Sequence, residues 1–156
     1  MDFRLDSYCG LYCGACDVLI ANWNGTIDEL AQAWDMHPDD LRCWGCKSDT
    51  VCIYCTDCTI RQCAQSRQIE FCFECEDFPC DGLMAFRRDG NSHHALVLHN
   101  LRFIRGQGLD RWLEAQQARW TCPTCQTGYG WYDQKCPNCG VTVYDCESEA
   151  KKLIDD

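Results

Sequence analysis

Cysteine is the residue type whose number and spacing could do chemistry in this chain. Seventeen of the 156 residues are cysteines, a share above the roughly 8–10% that marks a chain held together by its cysteines. Sixteen of them fall into two blocks, from Cys9 to Cys80 and from Cys122 to Cys139, and Cys146 follows alone. Spaced cysteines form disulfides or bind metals, and in a reducing cytosol metal binding is the common outcome.

The second block contains two C-x2-C motifs, Cys122-Pro-Thr-Cys125 and Cys136-Pro-Asn-Cys139, separated by ten residues. Two such motifs on a hairpin can place four thiolates at the corners of a tetrahedron, each about 2.3 Å from one zinc ion. Aromatic and β-branched residues between and after the motifs predict a small three-stranded sheet. We therefore predict a structural zinc ribbon with one Zn²⁺, and iron in a rubredoxin-like site as the alternative.

The first block holds twelve cysteines, which is three times four. Up to three further sites with four thiolates each would use all of them, although spacing alone does not assign cysteines to sites. The candidate ligands are Cys9, Cys13, Cys16, Cys43, Cys46, Cys52, Cys55, Cys58, Cys63, Cys72, Cys75 and Cys80.

The metal of this first block is open between zinc and iron–sulfur clusters. The C-x2-C-x2-C-x3-C-P run of ferredoxins is absent, because Pro79 precedes Cys80 instead of following it. Carboxylates close to the ligands would oppose adding an electron to an anionic cluster. We therefore predict zinc, with an iron–sulfur redox or cluster-carrier protein as the alternative. In that alternative, each of two C-x2-C-x4-C triplets, Cys55 to Cys63 and Cys72 to Cys80, gives three thiolates to one cluster.

Catalytic machinery is not evident in the sequence. The motif from Cys9 to Cys16 has the C-x3-C-x2-C spacing of radical enzymes that use S-adenosylmethionine, but the chain is too short for their barrel. His93, His94 and His99 include no pair four residues apart, and no phosphate-binding glycine loop is present. We predict a binding or regulatory module with no catalytic residue. Catalysis at a metal that lacks a fourth thiolate is a third hypothesis.

The acidic charge restricts the partners. The formal net charge is −10, and metal-bound thiolates would make it more negative. This sign disfavours nucleic acid, whose binding needs a basic face. We expect another protein as the partner. The first residues lack the basic and apolar regions of a secretory signal, and no apolar run is long enough for a membrane helix, so we expect a cytoplasmic protein without a membrane span.

The elements that carry these cysteines are predicted to be short. A capping box at Thr26 to Glu29 predicts one helix, and Ile60 with Ala64 indicates another. Three helices are predicted in the cysteine-free stretch, one after Pro79, one over 92–105 and one from Asp110 onwards. The predicted fold is a small metal-stabilised α+β protein with an irregular cysteine-knuckle core over 1–86, a helical segment over 87–119 and a zinc-ribbon module over 120–156. We expect the ribbon to be a separable unit.

The cysteine motifs of the first block resemble a known family. Residues 8 to about 86 are similar to the cysteine-rich domain-of-unknown-function family numbered 3795. The resemblance implies a prokaryotic metal-binding protein and names no reaction, and Cys52 departs from the regular pattern of the family. The resemblance rests on Cys9-Gly-Leu-Tyr-Cys13-Gly-Ala-Cys16, Cys43-Trp-Gly-Cys46, Cys55-Thr-Asp-Cys58-Thr-Ile-Arg-Gln-Cys63 and Cys72-Phe-Glu-Cys75-Glu-Asp-Phe-Pro-Cys80.

Overall fold

The computed structural model describes residues 2–153. Short helices and single helical turns account for the regular structure of this range. The α-helices are α1 (Asp17–Asn24), α2 (Ile27–Ala33), α3 (Ile53–Thr56), α4 (Thr59–Arg67), α5 (Asp81–Arg87), α6 (Val97–Gln107), α7 (Leu109–Arg119) and α8 (Cys146–Lys152). The 3-10 turns are Cys13–Ala15, Pro38–Leu41, Cys72–Glu74 and Ser92–Leu96.

The β part of the predicted α+β fold is reduced to two isolated bridges within residues 2–153. These bridges pair Thr121 with Gly128 and Lys135 with Thr142, so the predicted three-stranded sheet is not formed. The physical reason is the length of chain between the turns. Each C-x2-C motif closes a tight turn, and the ten residues between the motifs leave little room for a longer ladder.

The helices of the cysteine-free stretch lie close to their predicted positions. Helix α5 follows Pro79, and α7 ends at Arg119 as the periodicity indicates. The helix predicted over 92–105 begins as a 3-10 turn and becomes α-helical only at Val97. Helices α1, α3 and α8 were not predicted. Helix α3 is a single turn and α8 carries few apolar residues, whereas the apolar residues of α1 run consecutively from Val18 to Ala21 instead of repeating with the helical period.

One hydrophobic core joins the two ends of the chain. Tyr12 from the N-terminal segment packs edge-on against Trp112 of α7, with 6.0 Å between the ring centroids. The side chain of Asn100 on α6 donates to the Gly10 carbonyl at 2.8 Å. Gly10 has a φ of +90°, and a Cβ there would lie 2.9 Å from the Val97 carbonyl oxygen. The first cysteine motif is therefore packed directly on α6.

A second, smaller cluster of buried residues forms around Val18, Ala31 and Leu41. Cys43 and Cys52 belong to this cluster, so α1 and α2 cover these thiols. Within residues 2–153, no helix combines the length and the hydropathy needed to cross a bilayer.

Candidate metal centres

The ribbon motifs bring four thiols into a compact group. The Sγ atoms of Cys122 and Cys139 lie 3.6 Å apart, and those of Cys125 and Cys136 lie 3.5 Å apart. All four Sγ atoms lie within 4.8 Å of one another. Four sulfurs about 2.3 Å from one zinc ion stand about 3.8 Å apart in a tetrahedron. The group could therefore bind one metal ion with little rearrangement.

The two ribbon motifs have the same backbone conformation. The amide of Gln126 donates to the Cys122 carbonyl at 2.9 Å, and Gly140 donates to the Cys136 carbonyl at 3.0 Å. Gln126 and Gly140 each follow the second cysteine of their motif, and both have a positive φ, of +64° and +75° respectively. This repeated turn points the two thiols of each motif toward the other motif.

Hydrogen bonds favour the thiolate form of Cys125, one of the four ribbon thiols. Thr127 and Asn138 donate to the Cys125 sulfur and lower its pKa to about 5. A thiol must lose its proton to bind a metal. Cys125 is therefore prepared for ligation at neutral pH.

We divide the twelve cysteines of the first block into three groups of four, named sets A, B and C, by the cavities that they line and by which thiols are close enough for their charges to interact. Set C lines a cavity of about 240 Å³, and sets A and B together line a second cavity of about 570 Å³. Set A contains Cys16, Cys43, Cys52 and Cys55, set B contains Cys9, Cys13, Cys46 and Cys58, and set C contains Cys63, Cys72, Cys75 and Cys80.

The contacts within set A centre on Cys52. Its sulfur lies 4.0 Å from that of Cys55 and makes a hydrogen-bonding contact with the Cys43 thiol. The Cys16 thiol faces both Cys52 and Cys43. Cys52 thus completes a group of four.

Sets B and C are assembled in the same way from distant parts of the chain. In set B, the Cys13 thiol faces Cys46, while the Cys9 and Cys46 thiols both face Cys58. In set C, the Cys72 thiol is the common neighbour of the other three thiols, which are Cys80, Cys63 and Cys75.

Set B lies between the other two sets. Cys13 of set B faces Cys16 of set A. Cys9 and Cys46 of set B are in turn close enough to Cys72 of set C for their charges to interact. The three sets therefore form a series in the order A, B, C.

A buried lysine fastens the segment carrying Cys46 to the segment carrying Cys72. The Lys47 ammonium lies 2.8 Å from Asp6 Oδ2 and 3.3 Å from Glu70 Oε2, and only 3% of the side chain is exposed. It also lies 3.7 Å from the ring centroid of Phe71. This pairing holds sets B and C next to each other.

The sulfurs of the core sets are spread more widely than those of the ribbon. Within residues 2–153, the ribbon is the one group of three or more candidate ligands whose atoms all lie within 4.8 Å of one another. In set A, Cys52 and Cys55 are 4.0 Å apart, but neither Cys16 nor Cys43 lies within 4.8 Å of both. The core sets thus surround cavities, whereas the ribbon thiols converge on one point.

Several core thiols stand at the start of helices. Cys16 precedes α1, Cys52 precedes α3, Cys58 precedes α4 and Cys80 precedes α5. The Cys80 sulfur accepts a hydrogen bond from the Leu83 amide at 3.4 Å. Free amides and the positive end of the helix dipole favour negative charge at such positions.

Burial favours the protonated form of three core thiols in particular. It raises the pKa of Cys9 to about 11 and the pKa of Cys16 and Cys46 to about 12. A metal must therefore displace protons from these sulfurs when it binds, and its positive charge must offset the burial of the thiolates.

The structure separates cysteines that the sequence groups together. The thiols of the first triplet, Cys55, Cys58 and Cys63, lie one each in sets A, B and C. The second triplet stays together in set C. Cys9 and Cys13 lie in set B but Cys16 lies in set A, so the C-x3-C-x2-C motif does not hold three thiols at one site.

Arg67 is a residue of this region that the sequence analysis missed. Its guanidinium donates to the Cys75 sulfur at 2.8 Å and lies 3.1 Å from an Asp77 oxygen. Arg67 follows Cys63 by four residues on α4, and residues four apart share one face of a helix. That spacing was the signal available in the sequence.

The described residues define a small, mostly helical, cysteine-rich protein with a group of four cysteines in the ribbon that could bind a metal ion. The chain belongs to the DUF3795 family, described as a protein of unknown function, whose family model matches residues 5–85. The matched range contains all of sets A, B and C and ends before the ribbon. Comparisons with curated proteins and with solved structures found no match.

Proposed function

We propose that this chain is an iron–sulfur protein of electron transfer. Sets A, B and C each bind one cluster, and the ribbon binds one structural zinc ion. The proposal selects the iron–sulfur alternative for the first block and keeps the zinc prediction for the second block.

The observation that carries the proposal is the different spacing of the thiols in the two blocks. Four thiolates on one zinc ion stand about 3.8 Å apart, as the ribbon thiols nearly do. In a four-iron cluster each thiolate binds a different iron, and in a two-iron cluster the thiolates bind in pairs. Both arrangements need wider groups around a cavity. Set C surrounds one such cavity, and sets A and B together surround another.

The charge near the core sets comes from two opposing sources. Carboxylates such as Asp17 and Asp57 lie next to ligands in the sequence, and Asp17 also lines the cavity of sets A and B. Helices α1 and α4 begin directly after Cys16 and Cys58, and their free amides and positive dipole ends oppose the negative charge of these carboxylates. Both helices have at least two turns, so an added electron on the cluster is partly stabilised.

Anaerobic purification followed by metal and sulfide analysis tests the proposal. We expect about one zinc per chain and roughly 6 to 12 iron atoms with matching acid-labile sulfide, depending on whether the clusters hold two or four irons. The sample should be brown and should show EPR signals after reduction by dithionite. A colourless, EPR-silent protein with three or four zinc ions per chain would replace this proposal with the all-zinc hypothesis.

Cysteine variants assign the two metals to the two blocks. Cys125→Ser should lose the zinc and keep the iron, while Cys58→Ser should lose iron from set B and keep the zinc. Cys146→Ser is the matched control, because this thiol is buried outside the four groups. Loss of iron from the Cys125→Ser protein at unchanged zinc would contradict the assignment.

A further inference from the structure

We propose that set C is the point at which this protein exchanges electrons with a one-electron redox partner protein, and that Arg67 raises the reduction potential of the cluster held there. This inference rests on the proposed function. It states at which set an electron enters the protein, and it assigns a role to Arg67, which lies outside the cysteine motifs.

The exposure of the thiols distinguishes set C from the other two. Cys63 and Cys80 of set C are exposed, whereas every thiol of sets A and B is buried or half-buried. Set C is also at one end of the series, because its Cys72 faces Cys9 and Cys46 of set B. An electron that enters at set C can therefore reach set B and then set A without leaving the protein.

Arg67 is placed to act on set C in particular. Its guanidinium donates to the Cys75 sulfur at 2.8 Å, and it lines the same cavity as the four thiols. The ion pair with Asp77 at 3.1 Å holds the guanidinium in this position and offsets part of its charge. In sets A and B, the described contacts include no arginine hydrogen bond to a cysteine sulfur. Arg61, which lies beside set B, donates instead to the backbone carbonyl of Cys46 at 2.9 Å.

The effect of Arg67 follows from charge. Reduction adds one electron to the cluster and oxidises the donor by one electron, with no bond made or broken. A cation that is hydrogen-bonded to a cluster thiolate stabilises the more negative, reduced state. The cluster at set C should therefore have the highest potential of the three, which makes it the first to accept an electron from the partner.

The test compares Arg67→Gln with Arg67→Lys and with a surface control. In the reconstituted full chain, EPR-monitored redox titration should show that Arg67→Gln lowers the potential of one cluster, the one with the highest potential. The expected change is about tenfold in the reduction equilibrium constant, which is about 59 mV for one electron. Arg67→Lys should retain most of the potential. Arg105→Gln removes the same charge from an exposed position of α6 and should move no signal.

A kinetic measurement tests the entry point. In stopped-flow mixing with dithionite, Arg67→Gln should slow the reduction of all clusters at least threefold relative to Arg105→Gln. Iron and sulfide are measured first in each protein, so their absence would overturn the proposed function itself. Normal iron and sulfide with unchanged potentials, with equal shifts of all signals, or with unchanged rates would overturn the inference about set C alone.

Discussion

At the scale of single residues, Cys52 gives the clearest test of set A. Its sulfur contacts the thiols of both Cys43 and Cys55. We predict that Cys52→Ser loses the metal of set A, since a serine hydroxyl is a poor replacement for a thiolate ligand. Metal analysis against the Cys146→Ser control measures this loss. An unchanged metal content would show that Cys52 is not a ligand.

Gly45 is the second residue that gives a sharp test, because the backbone of Arg4 lies against it. Gly45 has a φ of +110°, and a Cβ there would collide with the carbonyl oxygen of Arg4. The same segment is held by a hydrogen bond from the Arg4 amide to the Trp44 carbonyl at 2.7 Å. We predict that Gly45→Ala lowers the free energy of unfolding by about 2 kcal/mol or more, since the substitution adds both backbone strain and a clash.

Denaturant unfolding of the metal-loaded protein measures this change, and Gly106→Ala is the matched control. Gly106 lies within α6, and a Cβ there would meet no atom within 4 Å. Alanine in a helix is favoured over glycine by about 0.5–1 kcal/mol, so the control should be stabilised. Equal effects of the two substitutions would contradict the close approach at Gly45.

At the scale of elements, a side-chain cap closes the start of α8. The Asp145 carboxylate accepts a hydrogen bond from the Ser148 amide at 2.7 Å, and Asp145 is buried. We predict that Asp145→Ala costs about 1 kcal/mol of stability at pH 7, because an amide at the start of the helix loses its partner. Glu147→Ala removes an exposed first-turn carboxylate without removing this bond and should cost less.

The same cap makes a prediction about pH. The hydrogen bond from the Ser148 amide lowers the pKa of Asp145 below its ordinary value of 3.8. A carboxyl group whose pKa is lower in the folded state contributes stability above its unfolded pKa and loses it as the pH falls through the folded pKa. The difference between wild type and Asp145→Ala should therefore be constant from pH 8 to pH 5. A difference that already shrinks between pH 7 and pH 5 would refute the lowered pKa.

At the scale of the whole molecule, the ribbon is packed into the same core as the N-terminal segment. The Trp131 amide donates to the Ala15 carbonyl at 3.0 Å, and the Cys146 amide donates to the Trp131 carbonyl at 2.7 Å. Cys122 and Tyr129 belong to the hydrophobic cluster that contains Trp112. This packing favours one cooperative unit over the separable ribbon that we expected from the sequence.

We predict that loss of the ribbon metal destabilises the whole chain. Cys125→Ser should show a single thermal transition at lower temperature than Cys146→Ser, because a structural zinc site contributes several kcal/mol to folding. Near-UV circular dichroism and the absorbance of the core metals should follow the same curve. Two separate transitions would instead support the prediction that the ribbon over 120–156 unfolds as a unit of its own.

The sequence by itself determined which cysteines are candidate ligands and that four of them form a compact group near the end of the chain. The spacing of Cys122, Cys125, Cys136 and Cys139 was enough to predict a compact group, because all four thiols lie on two adjacent turns. The helices α5 to α7 were also predictable, since their apolar residues repeat with the helical period. These features depend on contacts between residues that are near one another in the chain.

The tertiary structure alone decided how the twelve core cysteines are divided. A C-x2-C spacing limits how far apart two thiols can lie, but it does not say which more distant thiol approaches each of them. Cys43 and Cys46 lie in the same motif, yet they belong to sets A and B. Their assignment depends on where Cys16 and Cys58 stand at the starts of α1 and α4, and so on the packing of helices distant in the sequence. The same packing brings Arg67 to set C and the ribbon to the common core.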